Sequence, residues 1–257
     1  MEYDVRRGTG TISRADASID EGLRAYMIKV YNYMAIGLAL TGIAALGMAN
    51  LATTTDPSQA VAQFNNGILL TSIGAAIYGS PLQWVVMLAP LGLVFFLSFR
   101  VHKMSVGAAQ ATFWVYAALV GVSLSSIFLI YTAESITRVF FISAASFGAL
   151  SLYGYTTKRD LTGMGSFLLM GLIGLIVASI VNIFLGSSAL AFAISAVGVL
   201  VFAGLTAYDT QKIKEMYYEG DDATTAGRKA IMGALALYLD FINLFLMLLR
   251  LFGNQRG

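Results

Sequence analysis

The chain alternates long apolar runs with short polar connections. A helix that crosses the ~30 Å hydrocarbon core of a bilayer needs roughly 20 predominantly apolar residues. Seven runs meet or approach that length: Tyr26 to Met48, Trp84 to Phe99, Ala108 to Tyr131, Val139 to Tyr155, Ser166 to Leu185, Ala189 to Tyr208 and Ile231 to Phe252. The pattern predicts an all-α polytopic membrane protein with seven transmembrane helices. The sixth is expected to stay helical beyond Tyr208, up to Gly220, because Thr210-Gln-Lys-Ile-Lys-Glu-Met-Tyr-Tyr holds no helix breaker. The connection from Ala49 to Gln83 is mostly uncharged, and its stretch Gly67 to Tyr78 is too short to span. That stretch reads as a short interfacial or re-entrant helix. Met1 to Glu21 has no apolar core, so it is no secretory signal. The organisation expected is a polar cytoplasmic tail over 1–23, a seven-helix domain over 24–253 and a short C-terminal tail over 254–257.

Composition narrows the function. Of 257 residues 58% are hydrophobic and 12% charged, against about 25% charged in soluble domains. With no cysteine and one histidine, His102, thiolate sites, His-rich metal sites and Ser-His-Asp triads are excluded. No nucleophile–base set is visible, so enzyme activity is not expected. No resident cofactor and no nucleic-acid partner are expected either, since a small basic excess is ordinary on the inner face of a membrane protein. That excess is distributed unevenly. With the N-terminus inside and seven crossings, Arg6, Arg7, Arg14, Arg24, Lys29, Arg100, Lys103, Lys158, Arg159, Lys212, Lys214, Arg228 and Lys229 lie inside. Only Arg138, Arg250 and Arg256 lie outside, a split of 13 to 3 among the 16 Lys and Arg. The asymmetry puts the N-terminus in the cytoplasm and the C-terminus outside.

Nearly all of the 14 acidic residues fall in the tail or the loops; Asp240 and Asp209 do not. Asp240 is flanked by Leu, Ile and Phe and stands 11 residues into the last run counted from Lys229, a depth of ~16 Å at ~1.5 Å per residue. A charged aspartate there costs at least ~2.5–3.5 kcal/mol, so it must face the bundle interior and find a partner, or be protonated. Asp209 can be that partner if the sixth helix continues to between Glu215 and Glu219, which sets it ~9–15 Å deep. Two carboxyl groups in contact in a poorly polarisable interior do not readily both ionise, so they titrate as one unit and share a proton. Fully ionised, the same pair offers hard oxygen ligands to Ca²⁺. The bland alternatives are that Asp209 caps a helix or pairs with Lys212 or Lys214, and that Asp240 hydrogen-bonds a neighbouring helix.

Other residues are candidates for support. Asn243 lies one turn after Asp240, and Tyr208 and Tyr238 each sit near one aspartate. Arg100 and Lys103, at the end of the second helix, could swing up to pair with an aspartate, or could be inner-face anchors; His102 between them reads as a solvated loop residue. Lys29 and Asn32 read as interfacial. Gly121 with Ser123, Ser125 and Ser126, and Gly171 with Gly174, suit close helix packing. Phe147-x-x-Leu150-x-x-Tyr153-Gly154 and Phe202-x-x-Leu205-x-x-Tyr208-Asp209 share a pattern, read as either an old duplication or convergent composition.

Four segments carry a resemblance. Ala207-Tyr-Asp-Thr-Gln-Lys-Ile and Leu237-Tyr-Leu-Asp-Phe-Ile-Asn-Leu-Phe resemble the signature segments of the Bax inhibitor-1 family, the transmembrane Bax inhibitor motif proteins. Tyr116-Ala-Ala-Leu-Val-Gly-Val-Ser-Leu-Ser and Val30-Tyr-Asn-Tyr-Met-Ala are similar to it too, and the likeness covers Arg24 to Gly253. It implies a central last helix wrapped by the other six. It also implies a pH-sensitive calcium leak gated by a di-aspartyl sensor, onto which Asp209 and Asp240 map. A basic latch from the second helix would be Arg100 by position or Lys103 by its neighbours. The neutral first loop suggests a bacterial member in the inner membrane, in contact with lipid, Ca²⁺ and H⁺, with transient Ca²⁺ the only metal. Some such members resemble modulators of a membrane-bound ATP-dependent protease, engaged through the tail.

Overall fold

A computed structural model describes residues 7–64 and 66–256, with side-chain surroundings from Glu21 onward. Long helices dominate: α1 (Arg7–Ala52), α3 (Leu82–Arg100), α4 (Val106–Leu124), α6 (Ala133–Thr156), α7 (Thr162–Leu185), α8 (Ser188–Glu215) and α9 (Ala223–Phe252), with short α2 (Ser72–Gly79) and α5 (Ile127–Ile130). Seven segments have the length and apolarity to cross a bilayer: Glu21–Ala52, Leu82–Lys103, Val106–Ile130, Ala133–Thr156, Thr162–Leu185, Ser188–Glu215 and Ala223–Phe252. They correspond one to one with the seven apolar runs.

The helices overrun those runs wherever a polar cap nucleates them. Thr132 accepts from Ser135 N at 3.3 Å and starts α6 six residues before Val139. Asp222 accepts from Thr225 N at 3.0 Å and starts α9 eight residues before Ile231. Such side-chain acceptors satisfy N–H groups that a first helical turn leaves unpaired. α1 likewise reaches back to Arg7, into the stretch read as a polar tail, while residues 1–6 lie outside those described. The third run, expected to be unbroken, is interrupted at Ser125 and Ser126, where α4 gives way to α5. There the Ser125 hydroxyl turns back to donate to the Val122 carbonyl and meets the Tyr78 hydroxyl at 2.6 Å. The short helix expected between Gly67 and Tyr78 is α2, which begins later, at Ser72. Beside it is a small antiparallel sheet of two-residue strands, β1 (Thr53–Thr54), β2 (Ala62–Gln63) and β3 (Leu69–Leu70), in the order β1-β3-β2. Strands this short leave no alternation to read.

The last helix is the most buried span. α1, α4, α6 and α8 pack directly on α9, whereas α3 packs on α4 and α7 on α8. Wrapping by all six helices is therefore incomplete: Met232, Ala236, Leu239, Asn243 and Met247 form a half-buried stripe along α9. The outer faces of α3 and α7, with Phe95, Phe99, Phe167 and Phe184, are exposed, as lipid-facing surfaces should be. The C-terminal residues return to the start of α6: Thr132 N donates to Asn254 O at 3.0 Å and Arg256 N to Ile130 O at 2.8 Å.

Lipid is as apolar as leucine, so close packing and hydrogen bonds, not hydrophobic burial, hold such helices together. Gly121 lets α4 approach the Thr41 carbonyl of α1, and Gly154 lets α6 approach the Ala207 carbonyl of α8; a Cβ at either position would overlap that oxygen. Gly174, by contrast, has open space around it. Hydroxyls seal the same crossings. Thr41 Oγ1 donates to Ala117 O at 2.8 Å or engages the Tyr238 hydroxyl at 2.6 Å, and Ser151 Oγ meets Thr210 Oγ1 at 2.9 Å and Tyr31 OH at 2.5 Å.

The Gly154 approach is testable. Gly154→Ala must push α6 off α8 and should destabilise the protein by ~1–3 kcal/mol, the usual scale of overpacking. Gly148→Ala, in open space on the same helix, should be near neutral. Thermal unfolding of the two variants side by side checks this; equal melting temperatures would contradict the close approach.

Candidate functional site

α8 continues past Lys212 and Lys214 but ends at Glu215, short of the expected Gly220, where the Met216 N–H closes the last turn on the Lys212 and Ile213 carbonyls; that end still lies within the range on which Asp209 depended. Ser187 caps its start, accepting from Leu190 N at 3.2 Å. Its last turn carries Lys212 and Lys214, favourably placed against the negative end of the helix dipole. Lys214 Nζ donates to the Tyr155 carbonyl at 2.9 Å and lies 5.3 Å from the centre of that ring, and Lys212 Nζ lies 5.8 Å from the centre of the Tyr208 ring. The lysine stems thus run along aromatic surface while the helix keeps its register.

That register turns Asp209 toward α9. The Asp209 and Asp240 carboxyl groups lie within hydrogen-bonding reach of each other. Carboxylates only accept, so a hydrogen bond between them would require that one of the two carry a proton. Asp240 is 4% exposed, and its Oδ2 has no hydrogen-bond partner in the protein. Asp209 is half-buried, with Lys212 the nearest opposite charge.

Both aspartates line a cavity of about 690 Å³ between α7, α8 and α9. Tyr208, Lys212 and Asn243 line it too. Asn243 Nδ2 donates to the Leu239 carbonyl at 2.8 Å, which leaves its amide oxygen free for the cavity. Gly165 of α7 lies flat against the Tyr208 ring, where a Cβ would overlap it.

The other candidates are placed elsewhere. Tyr238 is fully buried, with its hydroxyl on Thr41 and its ring edge-on to Phe113 and Tyr116, so it braces α1 and α4 and does not touch the pair. Arg100 and Lys103 are exposed at the end of α3, and neither lines the aspartate cavity. His102 is exposed. Lys29 is exposed and lies 6.0 Å from the Tyr33 ring centre. Among the described residues no group of three or more His, Cys, Asp or Glu could hold a metal ion, and the one salt bridge is Lys229–Asp221 at 2.5 Å.

A family model described as inhibitor of apoptosis-promoting Bax1 matches residues 23–257. The chain belongs to the Bax inhibitor-1 family. It is 50% identical to an uncharacterized protein of Rickettsia prowazekii over 96% of this chain and 97% of that one. It is 48% identical to the inner membrane protein YbhL of Escherichia coli over 91% and 94%, and 34% identical to an uncharacterized membrane protein of Streptococcus pyogenes over 92% and 95%. Asp209 and Asp240 both fall within the matched residues.

Gln211 was not singled out from the sequence, yet it ties this region together. Its Oε1 accepts from Leu161 N and its Nε2 donates to Arg159 O, both at 2.8 Å, which holds the α6–α7 connection against α8 two residues from Asp209. A polar residue after a string of apolar ones looks like a helix end, and only the fold shows its partners. Gln211→Leu keeps the helix but leaves the Leu161 N–H unpaired, and should cost ~1–3 kcal/mol. Chemical or thermal unfolding in detergent reads this out, and unchanged stability would contradict the tie.

Proposed function

We propose that this chain is a calcium-permeable leak of the bacterial inner membrane, with the Asp209–Asp240 pair as the element that senses pH and meets the ion. The observation that carries this reading is the proximity of two carboxyl groups in the wall of a cavity within the bundle of apolar spans. Ca²⁺ takes 6–8 oxygen ligands. The cavity offers two carboxyl groups and the Asn243 amide oxygen, so water must complete the shell. A site this sparse holds calcium weakly, which suits passage better than storage. Because the paired state requires a proton, an arriving cation competes with H⁺ for the same oxygens. Arg100 or Lys103 would serve as a latch only after α3 moved relative to α9.

The inner membrane location draws on the similarity to the Escherichia coli inner membrane protein YbhL. The orientation, N-terminus in the cytoplasm and C-terminus outside, draws on the 13-to-3 distribution of Lys and Arg. The C-terminal residues lie beside the α5–α6 connection, which agrees with that parity.

A second reading is a regulatory protein that restrains a membrane-bound ATP-dependent protease. Its supporting feature is α1, whose 46 residues extend ~69 Å at ~1.5 Å per residue, more than twice the hydrocarbon core. An arm of that length is more than a simple leak needs.

Purified protein in liposomes loaded with a calcium dye tests the leak. The native chain should pass calcium with a rate that changes across neutral pH. Asp209→Asn and Asp240→Asn should each flatten that pH response and change the rate by about tenfold, the scale of a 1–3 kcal/mol coupling. If both variants kept the native flux and pH profile, the leak reading would fail. If deletion of residues 1–20 altered protease-substrate turnover while flux stayed intact, the regulatory reading would take its place.

A further inference from the structure

We propose that the cavity beside the aspartate pair is a binding site for an amphiphilic monovalent cation, a long-chain amine or quaternary ammonium, which enters sideways from the bilayer. The proposal rests on the pair being a cation site, but not on calcium passing through it.

The cavity is larger and more apolar than an ion site requires. At about 690 Å³ it falls in the ~300–1,000 Å³ range of sites for organic ligands. Along α7 its lining runs from Gly165 to Ile183, a length of ~27 Å at ~1.5 Å per residue. The charged groups are confined to one part of it. Asp209 and Lys212 come from α8, Asp240 comes from α9, and α7 contributes no charge to the lining. The remaining wall is mostly hydrocarbon, including Leu172, Ile176, Phe202 and Met247. A hydrated calcium ion finds few polar partners along that wall. An alkyl chain fits it, and the cationic head then sits at the carboxyl groups.

Asp240 supplies the specific demand for a cation. Its Oδ2 is buried and has no hydrogen-bond partner in the protein, and Asp240 is one of the residues that line the cavity. A buried charge needs a counter-charge, and an ammonium head brought beside Asp240 balances it through space, without donating a hydrogen bond. Access follows from the packing. α7 packs mainly on α8 and leaves Leu239, Asn243 and Met247 of α9 half-exposed. Hydrocarbon chains are already solvated by lipid, so the tail brings shape and the headgroup brings selectivity.

The test uses the full chain in lipid nanodiscs and radiolabelled dodecyltrimethylammonium, with empty nanodiscs as the partition control. The expected result is saturable binding at one site per chain. Unlabelled dodecyltrimethylammonium should compete, and dodecyl maltoside and dodecyl sulfate should not. Asp240→Asn should weaken binding by about tenfold or more, and Ser179→Trp, which fills the apolar part of the cavity, should do the same. Ile176→Trp, on an already exposed rim position, serves as a second filling variant should Ser179→Trp misfold. Three results would each overturn the proposal: no saturable binding, equal displacement by the nonionic chain, or full binding in Asp240→Asn. Full binding in the filling variants would overturn it as well, since the cation would then need no groove. Binding is read at equilibrium, so intact binding without calcium flux would sink only the leak.

Discussion

An acidic side chain deep in a lipid-solvated bundle must find a partner, and the arrangement around α9 follows from meeting that need at Asp240. Among the described residues no lysine or arginine forms a salt bridge with it. The neighbouring acid is Asp209, and on the proposed function the two join by way of a shared proton. The length of α8 bears on that arrangement. Had the helix ended at Lys212, Asp209 would have stayed near the surface; running to Glu215, it is carried down to Asp240. Lys212 and Lys214 lie along Tyr208 and Tyr155, and Gln211 pins the neighbouring connection.

The bundle divides by how its helices are held. α1, α4, α6 and α8 pack around α9 and are joined to one another by close backbone approaches at Gly121 and Gly154 and by buried hydroxyls, with Thr41 reaching Tyr238 of α9. These contacts need exact spacing, so they favour a fixed frame. α3 and α7 stand outside that group, α3 packed on α4 and α7 on α8, and present broad faces to lipid. The aspartates lie on α8 and α9, in a cavity that α7 also lines. Motion of α3 is what a basic latch from Arg100 or Lys103 would require.

Much of this was legible in the sequence because the bilayer imposes a length. Seven apolar runs gave seven spans, and the isolation of Asp240 among Leu, Ile and Phe marked it as buried. What the runs could not give was helix ends, which are set by single capping side chains such as Thr132 and Asp222. Nor could they give the break at Ser125, which depends on a hydroxyl turned back on its own helix and on Tyr78 from another. The two tyrosines show the same limit. Tyr208 and Tyr238 each neighbour an aspartate in sequence, but consecutive helical residues point ~100° apart. Tyr208 lines the cavity beside the pair, and Tyr238 turns to Thr41. The incomplete cover over α9 was out of reach too, since hydropathy ranks a span but does not assign its neighbours.

The central claim is that Asp209 and Asp240 share one proton. Infrared difference spectroscopy on protein with ¹³C-labelled aspartate tests it directly, because a protonated carboxyl in an apolar site absorbs apart from exposed carboxylates. The account predicts one protonated-carboxyl band at neutral pH in the native chain, shifted or lost in both Asp209→Asn and Asp240→Asn. Two aspartates that ionise independently in the ordinary acidic range, each unaffected by replacement of the other, would contradict it.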